Sequence, residues 1–136
     1  MISLANKVGR LFEMRCTPPL EERHVIEFEL EIGRLLRAGH KILFCSDLRH
    51  SPIVSPEIAD RFGGLLRRDV PLLERSAVLI PSDQAILNMQ VQRIVREAGT
   101  PARQVFKDPA KLVEWLGELC TDDERARLEA FVNEMP

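Results

Sequence analysis

The segment KILFCSDLRHSPIVSPEIADRF, residues 41–62, is the strongest indication of the fold class of this chain. Its first part, residues 42–45, is a continuous apolar run, which is typical of a strand that is covered on both faces. Its last part begins with Ser55, Pro56 and Glu57. The serine can cap a helix, the proline loses nothing in the first helical turn, and the glutamate faces the positive end of the helix dipole. A buried strand, a polar turn and a helix in succession predict a parallel crossover unit.

The flanking sequence repeats this alternation of strand and helix. Apolar spacing predicts a strand within residues 7–16, a helix over about 20–38, a strand at 76–81, a helix that ends at Gly99, a strand at 102–106, and two final helices that start near Asp108 and Thr121. Ser82 or Asp83 is expected to cap the third helix. The order predicts an α/β fold with one four-stranded, mostly parallel sheet, alternating helices and a C-terminal helix, in a single domain over residues 1–136.

The bulk composition is that of a globular protein. The 136 residues are 45% hydrophobic and 29% charged, and the net charge is -2. A charge this small argues against nucleic acid as a partner. We find no apolar run long enough for a signal peptide or a membrane span, and the three widely spaced cysteines form no disulfide framework. We therefore expect a cytoplasmic protein without a nucleic-acid partner.

Polar side chains crowd the turn between the buried strand and the helix, residues 46–57, which is called the elbow below. The candidate site residues there are Ser46, Asp47, Arg49, His50, Ser51, Ser55 and Glu57. The carboxyl edge of a parallel sheet is where ligands bind in open α/β proteins. The simpler interpretation is that Asp47 pairs with Arg49 and that Ser55 only caps the helix.

Motif spacing argues against an enzyme. A cysteine phosphatase needs an arginine after five intervening residues, and Arg49 follows Cys45 too closely. Residues 14–16 supply no acidic cluster for magnesium, and neither a glycine-rich phosphate loop nor a GxSxG elbow occurs. We predict no catalytic residue, no cofactor and no metal. A degenerate enzyme that uses Asp47, Arg49 and His50 is the least favoured alternative.

Three segments carry a resemblance to a known family. They are SDLRHSPIVSPEIA at 46–59, LERSAVLIP at 73–81 with the following NMQVQRIVREAG at 88–99, and ARQVFKDPAKLVEWL at 102–116. Together they resemble the STAS superfamily of sulfate transporters and anti-sigma-factor antagonists, in particular its small stand-alone bacterial members. The resemblance spans about residues 7–119. It implies a regulatory signalling protein with a usual N-terminal pair of strands, of which only one is clear here. It also implies a phosphorylated serine at a helix start. Only Ser55 matches that site by position, because Val54 stands where the family commonly has aspartate.

These observations lead to a non-enzymatic module for protein–protein interaction. We predict that a protein partner docks on the elbow. Phosphorylation of Ser55, the candidate phosphoacceptor, or of Ser51 would then prevent docking by adding negative charge.

Two alternatives stay open at this point. One is a protein of the same fold that binds a small ligand or a lipid in a pocket lined by Phe28, Phe62 and Trp115, although these residues are also suited to fill the core. The other concerns Arg61, Arg67, Arg68 and Arg75, which form either a solvated surface or a docking patch for an acidic partner. Because the first helix is rich in glutamate, a homodimer held by opposite charges is a further possibility.

Overall fold

The computed structural model describes residues 1–134, which form five strands and five α-helices. The strands are β1 (Ile2–Val8), β2 (Leu11–Cys16), β3 (Ile42–Asp47), β4 (Leu73–Leu79) and β5 (Arg103–Phe106). The helices are α1 (Glu22–Ala38), α2 (Pro56–Arg68), α3 (Ala85–Ala98), α4 (Pro109–Gly117) and α5 (Asp122–Asn133). A short 3-10 helix, Val70–Leu72, precedes β4. Within this part of the chain no helix combines the length and the apolar character needed to cross a membrane.

The five strands form one sheet in the order β1-β2-β3-β4-β5. β1 runs antiparallel to β2, and every other neighbouring pair is parallel. The predicted α/β class and the mostly parallel sheet are therefore confirmed. The predicted number of four strands is wrong, because a tight turn at Gly9 and Arg10 divides the N-terminal segment into a hairpin. β1 is a half-exposed edge strand, so its sequence lacks the clear apolar alternation of a core strand.

Gly9 allows this hairpin to close against α5. Its φ is +54°, in the left-handed region that glycine adopts most easily. A Cβ at this position would overlap the carboxylate of Glu124, so a larger residue would also force that side chain to move. Oε2 of this carboxylate accepts a hydrogen bond from the backbone N–H of Arg10 at 2.6 Å. Glu124 and Thr121 form a capping box at the predicted start of α5, with reciprocal bonds of 2.8 and 3.2 Å.

The helices cover both faces of the sheet, which explains the continuous apolar run in β3. Ile42 and Phe44 pack towards α1 and α2, whereas Leu43 and Cys45 pack towards α4 and α5. The side chains of α3 extend the first of these layers over β4. Successive residues of a strand point to opposite faces, so this division continues into the elbow.

The start of α3 differs from the expectation. The helix begins at Ala85 with Gln84 as its N-cap, and neither Ser82 nor Asp83 caps it. The chain leaves the sheet late, because the N–H of Ile80 still donates to the carbonyl oxygen of Phe106 at 2.9 Å. The helix can therefore begin only after the bend at residues 82–83.

Candidate functional site

The elbow does not form a single cluster of polar side chains. Ser46 lies on the same face of β3 as Phe44, towards α1, α2 and α3. Asp47 lies on the opposite face, towards α4 and α5, as does Cys45. Two residues that are adjacent in sequence therefore contribute to different parts of the protein. The candidate residues separate into a buried charged cluster, a buried hydroxyl and an exposed loop.

Asp47 is the centre of the charged cluster. Its side chain is buried and accepts hydrogen bonds from Nε and Nη2 of Arg49, at 2.9 and 3.0 Å, and from the backbone N–H of Arg49 at 3.1 Å. A fourth bond comes from Nε of Arg15 at 3.2 Å. Burial favours the neutral carboxyl, but these hydrogen bonds outweigh burial and lower the pKa of Asp47. The carboxylate therefore stays ionised, and its two oxygens are fully used by the two arginines.

Both arginines also hold the end of the C-terminal helix. Nη2 of Arg15 donates to the carbonyl oxygen of Phe131 at 2.6 Å, and Nη2 of Arg49 donates to that of Val132 at 2.8 Å. The guanidinium of Arg15 also lies 4.0 Å from the centroid of the Phe131 ring. The last carbonyl groups of a helix lack partners within the helix, and cations satisfy them well. The predicted pair of Asp47 and Arg49 therefore exists, and it fastens α5 to the sheet.

The three residues of the degenerate-enzyme alternative do not form a joint site in the described chain. Asp47 accepts from Arg15 and Arg49, Arg49 in turn holds α5, and His50 is exposed and donates to neither Asp47 nor Arg49. Burial raises the pKa of the Cys45 thiol well above its ordinary value, so this thiol is not a nucleophilic thiolate. Residues 1–134 contain no group of three or more potential metal ligands.

Ser55 caps α2 as the sequence predicts. Its Oγ accepts a hydrogen bond from the backbone N–H of Ile58 at 3.3 Å, and Pro56 occupies the first helical position. Ser55 and Glu57 are both exposed. Ser51 is half-buried, and its hydroxyl donates to the carbonyl oxygen of Pro52 at 3.0 Å. Of the two serines predicted as phosphoacceptors, Ser55 is therefore the more accessible.

We expect the Ser55→Ala variant to lose about 1 kcal/mol of unfolding free energy, because the first turn of α2 loses its acceptor. Ser55→Gly is the control and should lose only a few tenths of a kcal/mol, since glycine is also tolerated at this position. Urea unfolding followed by circular dichroism measures both variants. Equal stability of Ser55→Ala and the unaltered chain would show that the cap contributes nothing.

A glutamine of α3 holds the loop that precedes Ser55. Oε1 of Gln90 accepts a hydrogen bond from the N–H of Val54 at 3.2 Å, and its Nε2 donates to the carbonyl oxygen of the same residue at 2.9 Å. Two bonds to one backbone unit fix that unit relative to α3. The role of Gln90 cannot be predicted from the sequence, since a glutamine outside the apolar stripe of a helix has no distinguishing pattern.

Exposed apolar side chains occur on this loop and on α3, the helix that holds it. Ile53, Ile86 and Met89 are 53%, 60% and 73% exposed, which is unusual for residues of this size. Ile86 and Met89 lie one helical turn apart on α3, next to Gln90, and Ile53 precedes the residue that Gln90 binds. We call Ile53, Ser55, Ile86 and Met89 the elbow patch. The two α3 residues had a signal in the sequence, because they fall outside the inner stripe of Leu87 and Val91.

Some of the basic and acidic residues that could hold a homodimer together form ion pairs within a single chain. Arg61 of α2 pairs with Glu22 and Glu29 of α1, at 3.1 and 3.3 Å. Arg75 pairs with Glu118 at 2.9 Å and lies over the ring of Trp115. Two of the four arginines are therefore already occupied, so this basic surface is a weaker candidate for docking than the elbow patch.

The pocket predicted from three aromatic residues is wrong. Phe28 packs edge-on against Phe44, with 6.3 Å between the ring centroids. Trp115 lies on the opposite face of the sheet, 5.6 Å from the ring of Phe106. Phe62 lines a cavity between the sheet, α2 and α3, and neither Phe28 nor Trp115 belongs to its wall. Its volume of about 70 Å³ is far below the ~300–1,000 Å³ of sites that enclose large ligands, which excludes a preformed lipid pocket there.

No family model, no curated protein and no solved structure matches the chain. The site is therefore interpreted from its geometry.

Proposed function

We propose that this chain is a non-enzymatic, cytoplasmic regulatory module of STAS-like architecture. A protein partner docks on the elbow patch, and phosphorylation of Ser55 releases it. The observation that carries this proposal is the position of Ser55, which is exposed at a helix start, two residues after the exposed Ile53, in a loop that is bonded to the α3 helix of Ile86 and Met89.

The fold lends support to the STAS-like interpretation. The resemblance implies an N-terminal pair of strands, and β1 and β2 supply such a pair. It also implies a serine at the start of the helix that follows an aspartate-containing turn, and Ser55 caps α2 after Asp47. The strand pair and the capping serine are the two features that support the STAS-like interpretation.

The surface chemistry favours a protein partner. Exposed apolar side chains that cluster on one surface are typical of protein interaction sites. Gln90 fixes the loop that carries Ile53, so a partner would meet a preformed surface. Preorganisation of this kind lowers the entropy lost on binding.

A phosphate on Ser55 would change this surface in two ways. It would add a charge of about -2 at the positive end of the α2 dipole, where the N–H of Ile58 can donate to it. The same charge would stand beside the apolar side chains of the patch. Docking would then have to remove water from a charged group without a counter-charge, which is strongly unfavourable. Phosphorylation therefore disfavours docking while the fold of α2 is retained.

We test this with four tagged variants in a pull-down from a cytoplasmic extract, with quantitative mass spectrometry as the readout. Met89→Glu and Ser55→Asp should each lower recovery of the same partner by at least tenfold, since each places a charge in the elbow patch. Leu30→Glu is the matched control, because Leu30 is an exposed leucine on α1, outside the patch. Ser55→Ala should bind normally.

The result that would refute the docking surface is equal recovery of every protein by Met89→Glu and Leu30→Glu. The switch is tested separately by treating the chain with a kinase-containing extract and measuring intact mass. Absence of phosphate on Ser55 and on Ser51, together with normal partner recovery by Ser55→Asp, would remove the switch and leave the docking surface intact.

A further inference from the structure

A small apolar cavity lies beneath the elbow, between the sheet and the two helices α2 and α3. Its walls include Leu48 and Val54 from the elbow, Phe62 from α2 and Val91 from α3. Nearly all of the surrounding atoms are apolar, and no charged side chain lines it. The cavity volume is about 70 Å³, which is room for more than one water molecule, since a cavity needs roughly 10–15 Å³ to hold one.

One polar side chain within this wall has an unused hydrogen-bonding group. Ser46 is 6% exposed and points into the cavity from β3. No hydrogen bond from its hydroxyl to another residue is seen within the described chain, although the neighbouring Asp47 is fully paired. The hydroxyl is not one of the side-chain atoms that are both sealed from solvent and unpaired, which are Oδ1 of Asn88 and Nε of Arg103, so it faces the open space of the cavity. The hydroxyl is therefore available to a molecule in the cavity, and it can both donate and accept.

The thiol of Cys16, which also lines the cavity, is neutral. Burial raises the pKa of the Cys16 thiol to about 12, so this group carries no charge at neutral pH. A charged ligand would find no counter-charge here and would lose its hydration. The wall therefore selects for a neutral molecule.

The volume limits the size of that molecule. An engineered apolar cavity of ~150 Å³ holds benzene, so a cavity of half that volume fits a body of about three carbon atoms. One hydrogen-bonding group must accompany this body to satisfy Ser46.

We propose that the cavity beneath the elbow binds a small neutral molecule with a short apolar body and one hydroxyl or carbonyl group, which hydrogen-bonds to Oγ of Ser46. The binding site stands on the cavity and on Ser46, and it does not depend on the docking function of the elbow patch. Because Leu48 and Val54 belong to both the cavity wall and the elbow, an occupied cavity would also support the loop from below.

Methyl-resolved NMR titrations test the site with two probes, 2-propanol and xenon. Both should shift the methyl signals of Leu48, Val54 and Val91, while the exposed methyls of Leu30 stay unchanged. In the Ser46→Ala variant the dissociation constant for 2-propanol should rise by about tenfold, which corresponds to the loss of one hydrogen bond, and xenon binding should not change. Val95→Phe, which fills the cavity from α3, should abolish the shifts from both probes.

Two results would overturn the proposal. The first is an absence of saturable shifts at the wall methyls, which would mean that the cavity holds water only. The second is equal affinity of Ser46→Ala and the unaltered chain for 2-propanol, which would leave an apolar cavity without a recognition group. Thermal unfolding of each variant establishes that it is folded, and Ser46→Ala carries the test if Val95→Phe does not fold.

Discussion

Replacement of Asp69 with alanine is expected to lower the unfolding free energy by about 4 kcal/mol, because it leaves a buried arginine without its counter-charge. Asp69 follows α2, and its Oδ1 accepts a hydrogen bond from Nη2 of Arg103 at 2.7 Å. The Arg103 side chain is only 1% exposed, so water cannot replace the carboxylate. Its Nε already lacks a partner in the described chain, and Nη1 donates to the carbonyl oxygen of Leu66 at 3.2 Å. The guanidinium would keep a single acceptor.

The opposite substitution, Arg103→Met, should be less damaging at low pH than at high pH. Burial raises the pKa of Asp69, and Arg103 counteracts this increase. Without the arginine the carboxyl group takes up a proton and becomes neutral, which a guanidinium cannot do. A carboxyl whose pKa is higher in the folded than in the unfolded chain loses stability as the pH rises through the folded value. Arg103→Met should therefore lose stability as the pH rises from the ordinary pKa of an aspartate through the raised pKa of Asp69, and this loss should level off at higher pH.

Urea unfolding at a series of pH values measures both effects. Glu97→Ala is the matched control, since the pair of Arg93 and Glu97 has a similar distance of 3.0 Å but is exposed to water on α3. That variant should lose less than about 0.5 kcal/mol. Equal losses for Asp69→Ala and Glu97→Ala would show that burial of the pair has no energetic consequence.

Local signals in the sequence were sufficient for most of the secondary structure. The cap at Ser55, the capping box at Thr121 and the apolar run of β3 each depend on residues within a few positions of one another. Such short-range patterns can be recognised without knowledge of the tertiary fold. The strand β1 has no comparable pattern, because its side chains are half-exposed and show no apolar alternation. The backbone hydrogen bonds that pair it with β2 do not depend on residue type, so they cannot be recognised in the sequence.

The role of the elbow depended on contacts that are distant in sequence. The pairing of Asp47 with Arg49 was predictable, because only one residue separates them. Its connection to Phe131 and Val132 was not, since more than 80 residues intervene and helix carbonyl groups leave no mark in a sequence. The bonds between Val54 and Gln90 span 36 residues and escaped for the same reason. Local pattern therefore located the elbow, and tertiary contacts determined what each of its residues does.

The Asp47→Asn variant is expected to lose about 3 kcal/mol of unfolding free energy, because it removes the charge that both Arg15 and Arg49 share. The loss should be smaller than for Asp69→Ala. The Arg15 and Arg49 side chains are 17% and 24% exposed, so water can partly replace the carboxylate. The same arginines hold the carbonyl groups at the end of α5, and we expect that helix to loosen first. Hydrogen exchange should therefore accelerate more in α5 than in β3.

The pH dependence of the unfolding free energy distinguishes the contribution of the Asp47 charge from that of the packing of its side chain. A carboxyl whose pKa is lower in the folded chain contributes stability above its unfolded pKa, and this contribution disappears as the pH falls through the folded value. The unaltered chain should therefore lose stability in acid more steeply than Asp47→Asn. Asp60→Asn is the control, because Asp60 is exposed and forms no ion pair within residues 1–134. If Asp47→Asn and Asp60→Asn had the same stability and the same acid dependence, the charged cluster would not be what fastens α5 to the sheet.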